Sequence, residues 1–493
     1  MTQSLKAIII GAGIAGIASA IRLRNLGFIV AVYESNSYAG GKLSEFSSQG
    51  YRFDKGPSLF TMPQFVEVLF ENSNQSIERF FKYKKKKTVC NYFYQNGLKF
   101  SAASDVKLFA TEASKKFDVQ EDEILKYFAK SKQKYELTAP LFLEKSLHKS
   151  DTYLNKKALN AVLNISKLDI NKTLHQYNQS CFKDPKLVQL FDRFATYNGS
   201  SPYHTPGIMS MIPHLEQHFG TFFPEGGMYA ITKSLVQLAE EIGVSFHYSI
   251  PVSQILVEDS RAVGIVANNE KIMAEVVVSN ADIVPTYRKL LKNCKAPEKT
   301  LNQPRSSSAL IFYWGIKAEF PALDLHNIFF SEEYEQEFQA IFNKNEVYKD
   351  PTIYINISSK ESPLDAPKGC ENWFVMINVP GNTGQDWDEI IKTAKTNIIS
   401  KLNRLLNSDI ESLIECETIL DPRSIESQTQ SYQGALYGAS SNNKYAAFLR
   451  HPNFKQSIKS LYFCGGSVHP GGGIPLCLLS AKIVADMVKK DLF

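Results

Sequence analysis

The feature that most constrains this chain lies near its start. An apolar pentapeptide, Lys6-Ala7-Ile8-Ile9-Ile10, runs straight into Gly11-Ala12-Gly13-Ile14-Ala15-Gly16. Ala15 to Leu26 then carries Ile17, Ile21 and Leu26 at helical spacing and stops at Gly27. Phe28 to Tyr33 is a second strand, rich in β-branched and apolar residues, and Glu34 closes it. A strand, a GxGxxG turn, a helix and a strand ending in an acid make a βαβ unit for a dinucleotide. Gly11 permits the tight turn, Gly13 lets backbone approach a pyrophosphate, and Gly16 lets helix and strand pack closely, while the helix N-terminus attracts the anion. Glu34 stands where a carboxylate accepts hydrogen bonds from ribose hydroxyls. GxGxxG alone is a weak signal that a chance glycine turn explains; the two strands and the acid around it favour dinucleotide binding.

Two further glycine stretches narrow the dinucleotide. Gly40-Gly41-Lys42 allows a second close backbone approach and offers a charge near the phosphates, and Phe53-Asp54-Lys55-Gly56-Pro57-Ser58 is a turn that could wall a ring system. Taken alone, both read as an ordinary glycine turn and hairpin. The far end is more specific. Cys464-Gly465-Gly466-Ser467 ends a strand, and Val468-His469-Pro470-Gly471-Gly472-Gly473-Ile474-Pro475 leads into a helix from Leu476 to Val488. Pro475 suits a first helical turn. Bare glycine amides at a helix N-terminus suit the N1–C2=O edge of a reduced flavin, which is anionic. A packed core has little use for so many glycines and prolines in so short a span.

With 493 residues, of which 44% are hydrophobic and 21% charged, the chain can bury a sizeable core in two or three lobes. The middle differs from the ends. Lys107 to Leu163 reads as mainly helical, Met228 to Ile242 as a helix stopped by Gly243, and Val244–Tyr248, Val252–Val257 and Ile272–Ser279 as strands, the last closing on Asn280-Ala281-Asp282. Ser306–Trp314 and Trp373–Val379 read as strands of a separate sheet, and Ile390–Leu406 as an amphipathic helix. The expected fold is therefore α/β. A Rossmann-like FAD-binding domain is assembled from the discontinuous segments 1–75, 222–300 and 440–493. A substrate domain with a mixed β-sheet takes 76–105 and 301–439, and a helical, membrane-facing lobe takes 106–221.

The net charge of +5 gives no case for nucleic acid. Seven cysteines without a CxxC pair argue for a reducing compartment and against disulfides or zinc, and no His, Asp and Glu residues cluster at metal-ligand spacing, so no metal is expected. Met1 to Lys6 lacks a signal-peptide pattern, and no stretch is long and apolar enough to span a bilayer. The expected location is cytoplasmic, peripheral on a membrane.

Gly11–Gly16, Glu34, Gly40–Lys42, Phe53–Ser58, Pro224-Glu225-Gly226-Gly227-Met228 and Gly465–Pro475 together resemble the bacterial-type carotenoid desaturases, the phytoene desaturase-related flavoproteins. So does Phe194-Ala195-Thr196-Tyr197-Asn198-Gly199-Ser200-Ser201-Pro202-Tyr203, and the likeness covers nearly the whole length. Within that family the chain is most similar to the hydroxycarotenoid 3,4-desaturases. The resemblance implies FAD as cofactor, a carotenoid as substrate, and oxygen or a quinone as electron acceptor. It implies that Gly11, Ala12, Gly13, Ile14, Ala15, Gly16 and Glu34 hold the ADP half, and that Gly40, Gly41 and Lys42 lie near the pyrophosphate and ribityl chain. Pro57 and Ser58 would lie near the ring, backbone around Val252 near adenine, and Gly465, Gly466, Gly473, Ile474 and Pro475 on the flavin side.

Desaturation removes a hydride, to flavin N5, and a proton from adjacent carbons. Charge spreads over the polyene, so no strong base is required, and no catalytic acid or base is assigned. His469 reads as a packing residue before a proton carrier, and Cys464 and Cys477 as small buried groups. Aromatics at 12% suffice to line an apolar tunnel but equally to fill a core. Lys82–Lys87 beside Phe80, Phe81 and Tyr92-Phe93-Tyr94 reads as a solvated approach to a hairpin with an Asn96-Gly97 type I′ turn, before it reads as a lipid contact. Ile208–Phe223 fits a membrane-facing mouth or a core segment equally. The alternatives are a phytoene desaturase or carotenoid isomerase, a flavin amine oxidase, and a non-enzymatic isoprenoid carrier of the same fold.

Overall fold

Lys6–Ile10 is a strand whose last four residues are buried, as a strand covered on both faces must be. Its alternate side chains enter different cores: Ala7 and Ile9 pack with the helices, Ile8 and Ile10 with the opposite layer. It is the middle of five parallel strands in the order Ile458–Phe463, Val276–Ser279, Lys6–Ile10, Ile29–Tyr33, Ser245–His247. Stretches from the start, middle and end of the chain thus meet in one sheet. The helices Ile14–Asn25, Tyr229–Glu241 and Ile474–Leu492 cover one face through Ile17, Leu235 and Leu478. The computed structural model describes residues 5–149, 152, 164–443 and 449–493.

The stretch Ile272–Ser279, expected as one strand, is two. Glu270–Met273 pairs antiparallel with Arg261–Ala267, and Val276–Ser279 joins the parallel sheet. The handover is made by backbone: Ala274 N–H donates to Val263 C=O (2.9 Å) and Glu275 N–H to Lys6 C=O (3.1 Å). Composition hides this break because the apolar stretch is interrupted only by Glu275, with no turn residue to mark it.

A second, seven-stranded sheet has the order Ile414–Leu420, Ser308–Ile316, Glu371–Val379, Ile353–Ile357, His326–Phe329, Thr88–Phe93, Lys99–Ala103. It is mixed: His326–Phe329 and Thr88–Phe93 run parallel, and the other neighbours antiparallel. Every residue of Ser308–Ile316 is buried, because both faces are covered. Phe312 and Trp314 pack under the helix Trp387–Leu406, while Ile311 and Tyr313 face the other way.

The helices Val106–Ser114, Glu121–Thr138, Leu174–Cys181 and Pro185–Asp192 pack onto one end of this sheet. Asp105, Thr173 and Asp184 cap three of them. The C-terminal part of the helical stretch expected over 107–163 lies largely outside the described residues. Two expectations are corrected. In the hairpin loop Gly97 (φ +83°) is left-handed and Asn96 is not, and Gly97 N–H closes the turn on Tyr94 C=O (3.0 Å). That is a tight turn followed by a left-handed glycine rather than type I′. The basic run is not a solvated approach throughout: Tyr83–Lys85 pairs with Phe222–Pro224, and Lys86 is buried against Asp324 (2.9 Å) and Glu361. Tyr92, Phe93 and Tyr94 are buried, so they are not lipid anchors. Ile208, Met209, Met211, Ile212 and Phe223 are buried, while Leu215, Phe219 and Phe222 of the same stretch are half-buried. Among the described residues no helix is long and apolar enough to cross a membrane.

Candidate functional site

Two glycine turns converge on one side chain, Asn280, at the end of Val276–Ser279, and a third packs on the first of them. A Cβ on Gly13 would stand 2.6 Å from Asn280 Oδ1, and one on Gly465 would stand 2.5 Å from Asn280 Nδ2. Asn280 Nδ2 donates to Cys464 C=O (3.2 Å), and its N–H to Ile10 C=O (2.8 Å). A Cβ on Gly16 would meet Gly11 O at 2.1 Å, the close helix–strand approach expected of that glycine. The third turn arrives through Gly40, whose N–H donates to Ala12 C=O (2.7 Å); Gly41 follows, its own Cβ position 3.7 Å from Gly13 Cα. Glu34 is buried, and its carboxylate accepts from Ala12 N–H (2.7 Å) and Asn36 N–H (2.8 Å). Ile250 N–H donates to Glu34 C=O (2.9 Å), which brings the chain just before Val252 alongside.

Beyond this junction opens a cavity of about 380 Å³. Ile14, Gly40, Gly41, Lys42, Pro57, Ser58, Gly466, Gly473, Ile474 and Pro475 all line it. Gly11, Ala12, Gly13, Ala15, Gly16, Glu34, Val252 and Gly465 do not; they stand behind it, around the junction or along the sheet end. The structure suits a dinucleotide with a flavin. Neither Ile14–Asn25 nor Ile474–Leu492 has a side-chain N-cap, so the first amides of both helices are left to an outside acceptor. Gly473, the residue before the second helix, has φ +101°, and a Cβ there would meet no protein atom within 4 Å. Space kept clear in front of a helix start is what a planar ring with an anionic edge requires. Lys42 behaves differently from the expectation that it offers charge to phosphates. Its Nζ donates to Ala435 and Leu436 C=O (both 2.9 Å), and burial pulls its pKa down to about 8. His469 is buried, with Nε2 on Lys145 C=O (2.8 Å) and its pKa held at about 4 by burial, and it does not line the cavity. Cys464 and Cys477 are thiols that burial pushes up to about 12 and about 11.

The same cavity continues between the mixed sheet and the helical region. Its walls there are mostly apolar: Val89, Ile311, Ile328, Phe338, Phe374 and Met376. A few polar groups interrupt them. Arg193 donates to Tyr92 OH (2.7 Å), faces Glu216 at 3.5 Å and lies 4.6 Å over the Phe194 ring. Burial raises the Glu216 carboxyl against the pull of Arg193. Glu337 accepts from Thr352 N–H (2.9 Å) and Oγ1 (2.7 Å), and burial pushes it up to about 7. Ser58 Oγ, Tyr354 OH and His326 Nδ1 form a chain with both links 2.8 Å. Asn280, Arg193, Glu216, His326 and Glu337 escaped the reading of the sequence. Arg193 stands next to the Phe194–Tyr203 motif and Asn280 closes a recognised strand, but nothing around His326 or Glu337 marks them.

A parallel sheet with a glycine junction, two open helix starts and an apolar cavity beyond them defines a dinucleotide-dependent oxidoreductase. The sequence pattern of the flavin containing amine oxidoreductases matches residues 14–489. A 1-hydroxycarotenoid 3,4-desaturase of Flavobacterium sp. (strain P99-3) is 58% identical over 483 residues, 98% of this chain and 99% of that protein. A 4,4'-diapolycopene oxygenase of Methylomonas sp. is 30% identical over 99% of this chain and 98% of its own. The solved structure of a putrescine oxidase with bound putrescine shares the fold at TM-score 0.64 and 14% identity, over 99% of each chain. The chain belongs to the flavin containing amine oxidoreductase family and, within it, to the carotenoid desaturases; its cofactor is FAD.

Proposed function

We propose that the protein is an FAD-dependent desaturase that introduces a C=C bond into a long polyene, and that its substrate is a hydroxycarotenoid oxidised at the 3,4 bond. The observation that carries this reading is one cavity lined both by the open start of Ile474–Leu492 and by the apolar wall of the mixed sheet. The 58% identity to a 1-hydroxycarotenoid 3,4-desaturase supports the choice of substrate.

Gly11–Gly16 and Glu34 hold the ADP half in this reading, with backbone near Val252 at the adenine. Gly40, Gly41 and Lys42 flank the pyrophosphate and ribityl chain, and Pro57, Ser58, Gly465, Gly466, Gly473, Ile474 and Pro475 surround the ring. Bound FAD supplies the acceptor for the hydride that leaves one carbon, while the neighbouring carbon loses a proton. The apolar walls align the polyene and exclude water, so placement contributes most of the rate. Lys42 ties the glycine turn to the Ala435 and Leu436 carbonyls. The enzyme works at a membrane surface, where so apolar a substrate is dissolved, and oxygen or a quinone takes the electrons on.

The test is incubation of the FAD-loaded protein in liposomes with acyclic and hydroxylated carotenoids, alongside a panel of amines. A red-shifted polyene spectrum and a mass loss of two hydrogens per new bond are expected. Oxidation of an amine with every carotenoid unchanged overturns the reading, and a protein purified without extractable FAD points to the isoprenoid carrier.

A further inference from the structure

One face of the strand Glu371–Val379 forms part of the cavity wall. Phe374, Met376 and Asn378 alternate onto that face and line the cavity, while Trp373, Val375 and Ile377 enter the core under the helix Trp387–Leu406. The strand is flanked on both sides by Ser308–Ile316 and Ile353–Ile357, so its side chains are reached only from the faces of the sheet. Asn378 is the polar residue in this apolar row. Its Oδ1 accepts from Ser307 Oγ (3.1 Å), and Nδ2 has no hydrogen-bond partner among the described residues. Arg193 Nε and His326 Nε2 also lack partners, but protein covers both atoms; Asn378 is half-buried and its Nδ2 is not covered, so this edge of the amide opens on the cavity. Neighbouring polar groups are engaged with each other: Thr352 Oγ1 with Glu337 (2.7 Å) and Ser331 N–H (3.1 Å), and Ser58 Oγ with Tyr354 OH (2.8 Å). Water satisfies an open amide. A bare hydrocarbon that displaces the water leaves the amide unpaired, at a cost of roughly tenfold or more in affinity, and a chain carrying a hydroxyl restores the bond.

We propose that Asn378 recognises the hydroxyl group of the substrate, beside the bond that is oxidised. This rests on the function proposed above. Asn378 is tied to both glycine stretches around the proposed ring site. Ser307, which holds its amide, accepts at C=O from Leu436 N–H (3.2 Å), and Leu436 C=O accepts from Lys42 Nζ (2.9 Å). The next residue, Tyr437, lies on the C-terminal glycine turn, where a Cβ on Gly472 would stand 2.7 Å from its Cδ1. The chemistry asks for that position: in a 1-hydroxy substrate oxidised at C3–C4, the oxygen lies three bonds from C3, roughly 4 Å away, so its reader must stand close to the flavin. A hydroxyl both donates and accepts, so the match holds whichever way the amide is turned on Ser307.

The test compares kcat/KM of the FAD-loaded enzyme in liposomes for a 1-hydroxylated acyclic carotenoid and for the same polyene without the hydroxyl. Wild type is expected to prefer the hydroxylated substrate by about tenfold or more. Asn378→Leu, close in volume and apolar, should bring the preference to within about twofold, chiefly through KM. Asn378→Thr, which suits a strand and keeps a hydroxyl, should retain part of it, and Tyr437→Phe should leave it intact. Quenching of tryptophan fluorescence by the two carotenoids gives the same ratio as a binding measurement if Asn378→Leu loads FAD poorly. A preference that survives Asn378→Leu overturns the assignment, and weaker FAD binding alongside that surviving preference gives the amide to the cofactor instead. A wild type that desaturates both polyenes equally also overturns it but leaves the desaturase reading standing; desaturation of neither removes that reading as well.

Discussion

At the end of the cavity next to the glycine junction the surface is largely main chain: glycines 40, 41, 466, 472 and 473, and the open starts of two helices. At the substrate end it is side chain: Arg193 and Glu216 from the helical region, His326 and Tyr354 from neighbouring strands, Glu337 from a short helix. The difference teaches where tolerance lies. A backbone cradle fails when a Cβ is added, whereas a side-chain wall fails when a partner is removed.

The largest effect is expected from Arg193→Met, which leaves Glu216 buried without its countercharge and should cost about 3–5 kcal/mol in denaturant unfolding. Adding Glu216→Gln should recover much of that loss; additive losses would mean that the two residues act separately. Next comes pH. The Glu337 carboxyl titrates at about 7 in the folded chain, above its ordinary value near 4.5, so the folded state holds a proton that the unfolded state releases. Its contribution is intact below about pH 4.5 and declines as pH rises through 7, by up to about 3 kcal/mol. The stability difference between wild type and Glu337→Gln should follow that slope, and parallel pH curves would contradict it.

Gly473→Ala sharpens the contrast. The added methyl meets no protein atom, so beyond about 1–3 kcal/mol of backbone strain at φ +101° its damage should appear as lost FAD, about tenfold weaker on titration of apoprotein. Undiminished FAD affinity would show that the cofactor avoids this helix start. Smallest of all, Asn96→Ala removes one exposed hydrogen bond to Leu98 N–H (3.3 Å) and should shift stability by less than about 0.5 kcal/mol.

The same contrast explains what could be read from residue order. Gly11–Gly16 and Gly465–Pro475 announce themselves because glycine is demanded there, by positive φ at Gly11, Gly465, Gly471 and Gly473 and by close approach at Gly13 and Gly16, and each lies on a continuous stretch. The central strands were legible for a similar reason: Lys6–Ile10 and Ser308–Ile316 are apolar runs of the right length. The Ile272–Ser279 break was not, since a change of strand partner without a turn leaves no compositional mark. Nor were His326, Glu216 and Glu337. Each is one polar residue in an ordinary segment, and its meaning depends on what lies across the cavity. The basic run misled in the same way, because the partners of Lys86 are Asp324 and Glu361, more than 200 positions away.

The central position of the first strand carries a consequence for biogenesis. On a ribosome adding about 5–20 residues per second, roughly 13–55 s separate the emergence of Ile10 from that of Ser279, which lies beside it in the sheet. For that interval one edge of a mostly apolar ribbon waits without its neighbour, an invitation to intermolecular pairing. Until Ile458–Phe463 and the helix after it are made, the proposed FAD site lacks its last helix start.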